Sequence, residues 1–176
     1  MRNRTGIKIL LSAGAGLLGL AALVLGRLSQ DPQGQAAFPP LDKTIAVAAD
    51  AGWVDTAIDV GPGEEICLSA SGKIDLQKGN PEAACGPEGL DLVTVDQPVP
   101  NANLGALIGK VAQLVARRVD EDSGIEIRDE VFVLFLVGQQ KTLTVPFKGR
   151  LYLGINEQVL KDNGGAYSVI VVRRPA

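Results

Sequence analysis

From residue 43 onward, short runs rich in Val, Ile, Leu and Thr recur about every ten residues, separated by clusters of Gly, Pro, Asn and Asp, which is the rhythm of strands joined by turns. The runs fall at 44–50 (TIAVAAD), 53–60 (WVDTAIDV), 64–71 (EEICLSAS), 131–138 (VFVLFLVG), 151–156 (LYLGIN) and 166–173 (AYSVIVVR). In 53–60, Val54, Thr56, Ile58 and Val60 alternate with Asp55 and Asp59. A period of two puts one face in a core and the other in water. The unbroken apolar run from Val131 to Val137 predicts instead a strand covered on both faces. Residues 112–119 fit helix or strand equally. The pattern as a whole predicts an all-β fold, a jelly-roll-like β-sandwich of two antiparallel sheets.

The N-terminal part reads differently. Residues 9–26 are apolar and uncharged, and Arg2, Arg4 and Lys8 precede them. Such a run is near the shortest that crosses a bilayer as a helix, and the basic flank places the chain beyond Arg27 outside the cytoplasm. A cleaved signal peptide and an uncleaved inner-membrane anchor both fit. The Pro- and Gln-rich stretch 29–43 reads as a linker. The expected organisation is a signal or anchor helix at 1–28, the linker at 29–43 and the β-domain at 44–176. The domain is then exported to the periplasm or cell surface and is in contact with the membrane only through the helix.

Composition narrows the chemistry. The chain has no histidine, which removes the usual general base and imidazole metal ligand. Four of the 17 basic residues precede residue 28, leaving 13 against 20 acids, a net charge of −7 on the exported part. An acidic surface suits divalent cations and neutral ligands, and nucleic acid is not an expected partner. No spacing of carboxylates singles out a glycosidase pair, so a binding protein is expected rather than an enzyme. Cys67 and Cys85 are the two cysteines, and in an exported chain they fit either one disulfide or two separate thiols. The acidic run Asp120-Glu121-Asp122 reads as a solvated loop. Trp53 reads as core, with stacking on a sugar face as the alternative.

The C-terminal stretch carries the most specific chemistry. Asn156, Glu157, Asp162 and Asn163 gather between two predicted strands, and Gly164 and Gly165 come directly after them. These are hard oxygen donors, and calcium takes six to eight of them in flexible geometry. A tight polar turn at Asp-Asn-Gly-Gly accounts for the same residues without a metal.

Trp53-Val-Asp-Thr, Leu68-Ser-Ala-Ser-Gly72, Cys85-Gly-Pro-Glu-Gly89, the segment 98–111 (PVPNANLGALIGKV) and Leu151-Tyr-Leu-Gly-Ile-Asn with Asp162-Asn-Gly-Gly after it occur in that order. The series, spanning about 46–172, resembles the bacterial PA-I-like galactophilic lectins. The resemblance implies a small β-sandwich that binds a galactose-like carbohydrate through one calcium ion (Ca2+). It implies metal ligands at Asp162 and Asn163, an acidic ligand at or near Glu157, and a backbone carbonyl from the 75–78 region. Gln97, Asn101 and Asn103 occupy the stretch that faces the sugar in that family, where a histidine is usual and none is present here. The loop between Glu157 and Asp162 is also about two residues shorter than the family's, with no match for its threonine ligand. The competing expectation is an interaction module: a homo-oligomer or envelope-assembly subunit on the same scaffold, with a degenerate sugar site.

Overall fold

Nine antiparallel strands make up the part of the chain that the computed structural model describes, residues 39–173. They are β1 (Leu41–Ala48), β2 (Val54–Val60), β3 (Glu65–Asp75), β4 (Ala84–Cys85), β5 (Leu107–Val119), β6 (Glu126–Leu136), β7 (Gln140–Thr144), β8 (Gly149–Ile155) and β9 (Gly164–Arg173). The apolar run 9–26 and most of the 29–43 stretch lie outside the described residues. Among the described residues no helix is long and apolar enough to cross a membrane.

The strands form two sheets. One runs β1-β9-β3, and the far edge of β3 is shared by β7 and β4. The other runs β2-β8-β5-β6. Alternation sends Ile45 and Val47 of β1, Ile66, Leu68 and Ile74 of β3, and Tyr167, Val169 and Val171 of β9 to one inner face. Ile58 and Val60 of β2, Leu107 and Val111 of β5, and Leu151, Leu153 and Ile155 of β8 supply the other, and the two faces form one core cluster. At about 1.5–3 kcal/mol per buried Val, Leu or Ile side chain, this inter-sheet layer is the main stabilising contribution. The result is a β-sandwich, as the period-two runs predict.

The structure decides two readings that the sequence left open, the first and fourth below, and departs from two others, the second and third. First, 112–119 is strand, the outer half of β5. Second, the apolar run 131–137 is not at the centre of a sheet. It lies mostly in β6, an edge strand, where Val131 and Phe132 are more than half exposed. Third, β1 begins at Leu41, ahead of the predicted 44, because its pairing with β9 continues to Arg173. Fourth, both cysteines are free. Cys85 pairs with Ile74 of β3, seven residues along that strand from Cys67. At about 3.3 Å per residue the two lie on the order of 20 Å apart, far beyond disulfide reach.

Candidate functional site

The segment 156–163 joins β8 to β9 at one rim of the sandwich, and its first residue is locked inward. Asn156 is fully buried. Its Oδ1 accepts from the Val99 amide at 2.9 Å, and its Nδ2 is shared among the carbonyls of Val99 (3.1 Å), Ala102 (3.2 Å) and Asn103 (3.1 Å). Its backbone N–H donates to Ala106 O, and its carbonyl accepts from Gly105 N. Asn156 therefore clamps the 99–106 loop to the rim. Every polar atom of its side chain is engaged there by backbone groups of 99–103.

Glu157, Asp162 and Asn163 do come together. Asn163 is fully buried and donates through Nδ2 to Glu157 Oε2 at 2.6 Å and to Ala49 O at 3.2 Å. Its Oδ1 is buried without a hydrogen-bond partner. A buried amide oxygen left in that state costs about 1–3 kcal/mol. Burial pushes the Glu157 carboxyl above its usual range, against the lowering effect of the Asn163 hydrogen bond, and the nearby Asp162 carboxylate pushes it further up. Asp162 has an exposed side chain, while its carbonyl accepts from Lys78 N at 2.9 Å. That bond ties the loop to the 75–78 segment from which a backbone ligand is expected.

Gly165 closes the loop into β9. Its φ is +82°, and a Cβ there would lie 2.6 Å from Lys73 O, so no other residue fits without displacing β3. Beside the loop, Asp75, Gly79, Asn80, Pro81 and Ala84 line an open depression of about 360 Å³. Among the described residues no three His, Cys, Asp or Glu side chains converge on a metal site. An ion held here would have to draw on amide and backbone oxygens beside Glu157 and Asp162, a donor mix that calcium accepts.

The residues expected to face a sugar behave differently. Gln97 is buried and accepts from Thr94 N at 3.2 Å through Oε1, with Nε2 buried and unpartnered. Asn103 is half-buried and donates to Glu88 O at 3.1 Å. Asn101 is exposed on the same loop. The Asn156 clamp brings this loop to the rim, but none of the three has a hydrogen bond to Glu157, Asp162 or Asn163.

Under the rim lies a hub that sequence reading missed. Tyr167 is fully buried, and its hydroxyl lies 2.5 Å from Gly86 O, 3.1 Å from Gly105 O and 3.5 Å from Cys85 Sγ. Burial drives the Tyr167 hydroxyl pKa far up and raises that of Cys85, to which the Glu157 and Asp75 carboxylates add. The available signal was a tyrosine in an otherwise aliphatic alternation, since a buried phenol needs a partner. Trp53 is not core. It is 37% exposed and lies over Gly154, where a Cβ would meet the indole at 3.0 Å, with Lys110 Nζ 5.0 Å from its ring and 4.8 Å from that of Tyr152. The acidic run forms a solvated turn in which Asp120 Oδ1 accepts from the Ser123 amide (2.8 Å) and hydroxyl (2.7 Å).

Comparison with known proteins bears on the scaffold. A solved structure described as "EclA N-terminal domain; PllA-like lectin" superposes with a TM-score of 0.50 at 24% identity, covering 74% of this chain and 95% of that one. The fold is lectin-like. At that identity the likeness is one of architecture. No family model matches the sequence, and none of the curated proteins matches it.

Proposed function

We propose that the domain binds a carbohydrate through a calcium ion held at the 156–163 rim. The observation that carries the reading is the buried, unpartnered Oδ1 of Asn163 beside the desolvated carboxylate of Glu157. Glu157, Asp162 and Asn163 would hold the ion, with a backbone oxygen from 75–78. When bound, calcium would supply coordination positions suited to neutral oxygen donors such as vicinal sugar hydroxyls. The chain's own part is positional. Asn156 fixes the neighbouring loop, Lys78 N fixes the Asp162 carbonyl, and Gly165 allows the turn. The lectin-like scaffold and the motif series favour a galactose-like ligand. No bond is made or broken in this reading. The apolar run 9–26 supports an exported domain, secreted or anchored in the inner membrane.

The test is a calorimetric and thermal-shift titration. The reading expects millimolar calcium to raise the melting temperature, Asp162→Ala and Asn163→Ala to abolish the response, and galactosides to add a further shift only with calcium present. A flat response to calcium sinks the metal site. A calcium response with a blank glycan array moves the domain to the second reading, an interaction module with a structural ion. The engagement of Gln97 and Asn103 with neighbouring backbone favours that alternative.

A further inference from the structure

The outer half of the β5–β6 hairpin leaves the sandwich. β8 pairs with β5 only over 107–112, so beyond that point β5 and β6 pair with each other alone and continue to the turn at 120–125. A two-stranded ribbon is marginal in water by itself. This one is also apolar: Leu114, Val115, Val119, Ile125, Val131 and Phe132 are between 38% and 64% exposed. Taking about 150–200 Å² for each fully exposed side chain, they present on the order of 600 Å² of apolar surface, close to the roughly 800 Å² per partner that a stable interface needs. β6 ends its sheet, so its eleven residues leave one edge of N–H and C=O groups open among the described strands. β6 carries no proline. Its inner part 131–136 is apolar, its outer part brings Glu126, Arg128, Asp129 and Glu130, and the ribbon's one irregularity falls on β5 between Leu114 and Ala116. An open edge of this length is a template for another strand.

We propose that this ribbon is a dimerisation arm, in which two copies of the chain pair antiparallel along the open edge of β6 about a two-fold axis at Asp129. The side chains suit that register. Ile127 falls opposite Val131, and Arg128 opposite Glu130, each twice, on opposite faces of the ribbon. Arg128 is more than half exposed and its partner is Glu126 on its own strand at 2.9 Å, so it is free to exchange. Asp129, which meets its own copy at the axis, has Arg118 3.6 Å away to offset its charge. The arm makes one eight-stranded sheet from two four-stranded ones. It does not depend on the sugar-binding reading.

The test uses the full-length chain. In a Cys67→Ser background, Asp129→Cys is expected to cross-link into a dimer on oxidation, because a residue at a two-fold axis meets itself at about 4.5–5.5 Å between Cα atoms. Glu126→Cys, whose copies lie about 20 Å apart in this register, stays monomeric. In sedimentation velocity, Arg128→Glu weakens the dimer about tenfold or more, and adding Glu130→Arg restores it, since two attractive pairs become repulsive and then attractive again. Far-UV circular dichroism confirms that each variant is folded. A folded wild-type chain that stays monomeric to about 100 µM overturns the proposal. So does cross-linking at Asp129→Cys no greater than at Glu126→Cys, or a dimer indifferent to Arg128→Glu.

Discussion

Replacing Asn156 by alanine tests whether the rim is built by this clamp. The change strips partners from four backbone groups: Val99 N–H and the carbonyls of Val99, Ala102 and Asn103. Ala102 is buried, and its carbonyl loses a partner that water cannot replace, at about 1–3 kcal/mol. Val99 and Asn103 are half-buried, and water recovers part of the roughly 1 kcal/mol that each of the other bonds contributes. The expected loss is about 3 kcal/mol, which for a domain of this size lowers the melting temperature on the order of 10 °C. Urea titration gives the free energy, and a thermal scan with and without calcium gives the second half of the test. Because the Asn156 side chain faces the 99–103 carbonyls, saturating calcium should raise the variant's melting point by about as much as the wild type's. Asn156→Asp should be worse than alanine at neutral pH, since it aims a carboxylate oxygen at three carbonyls. A loss under about 1 kcal/mol would refute the clamp, and an unchanged metal-free melting point with no calcium response would in addition make Asn156 a ligand.

The same geometry sets other outcomes. Tyr167→Phe removes the hydroxyl between Gly86 and Gly105 and should cost about 1.5–2 kcal/mol in urea unfolding, with the fold retained. Thiol titration of the native protein should find Cys67 reactive and Cys85 silent until unfolding, because burial both shields Cys85 and disfavours its thiolate. Equal reaction rates would contradict the buried hub. Glu157 has a folded pKa above its unfolded one, so its protonated form stabilises the fold, and that contribution is lost as pH rises through the folded value. Without calcium, Glu157→Gln should therefore melt higher than wild type at neutral pH, with the gap closing on acidification, and its calcium response should be lost. Gly165→Ala should cost about 2 kcal/mol or more through the clash with Lys73 O, measured as a fall in the urea midpoint.

Much of the sandwich could be read directly because its strands obey a two-residue period with one dry face. In β2, Thr56, Ile58 and Val60 are buried and Asp55 and Asp59 exposed, as the alternation requires. The meeting of Glu157, Asp162 and Asn163 was equally legible, since all three lie within one short connection. What escaped depended on distant partners. Asn156 and Glu157 are adjacent oxygen-bearing residues, and only the docking of 99–106, more than fifty residues earlier, turns Asn156 inward. The run 131–137 has the composition of a central strand, and nothing local distinguishes two covered faces from an edge with apolar residues on both sides. Trp53 failed for a related reason: its place is set by a glycine at 154 that leaves a shelf for the indole.

β9 runs the whole height of the sandwich, from Gly164 beside the loop to Arg173, whose guanidinium reaches Pro39 O and Asp59 O. Ten residues at about 3.3 Å each separate these ends by roughly 30 Å. β1 travels the opposite way, from Leu41 against Arg173 to Ala48 against Ala166. The described chain thus enters the domain at one pole and carries Glu157, Asp162 and Asn163 at the other. Attachment through the entry side would leave the 156–163 rim pointing outward, with the length of the sheet in between.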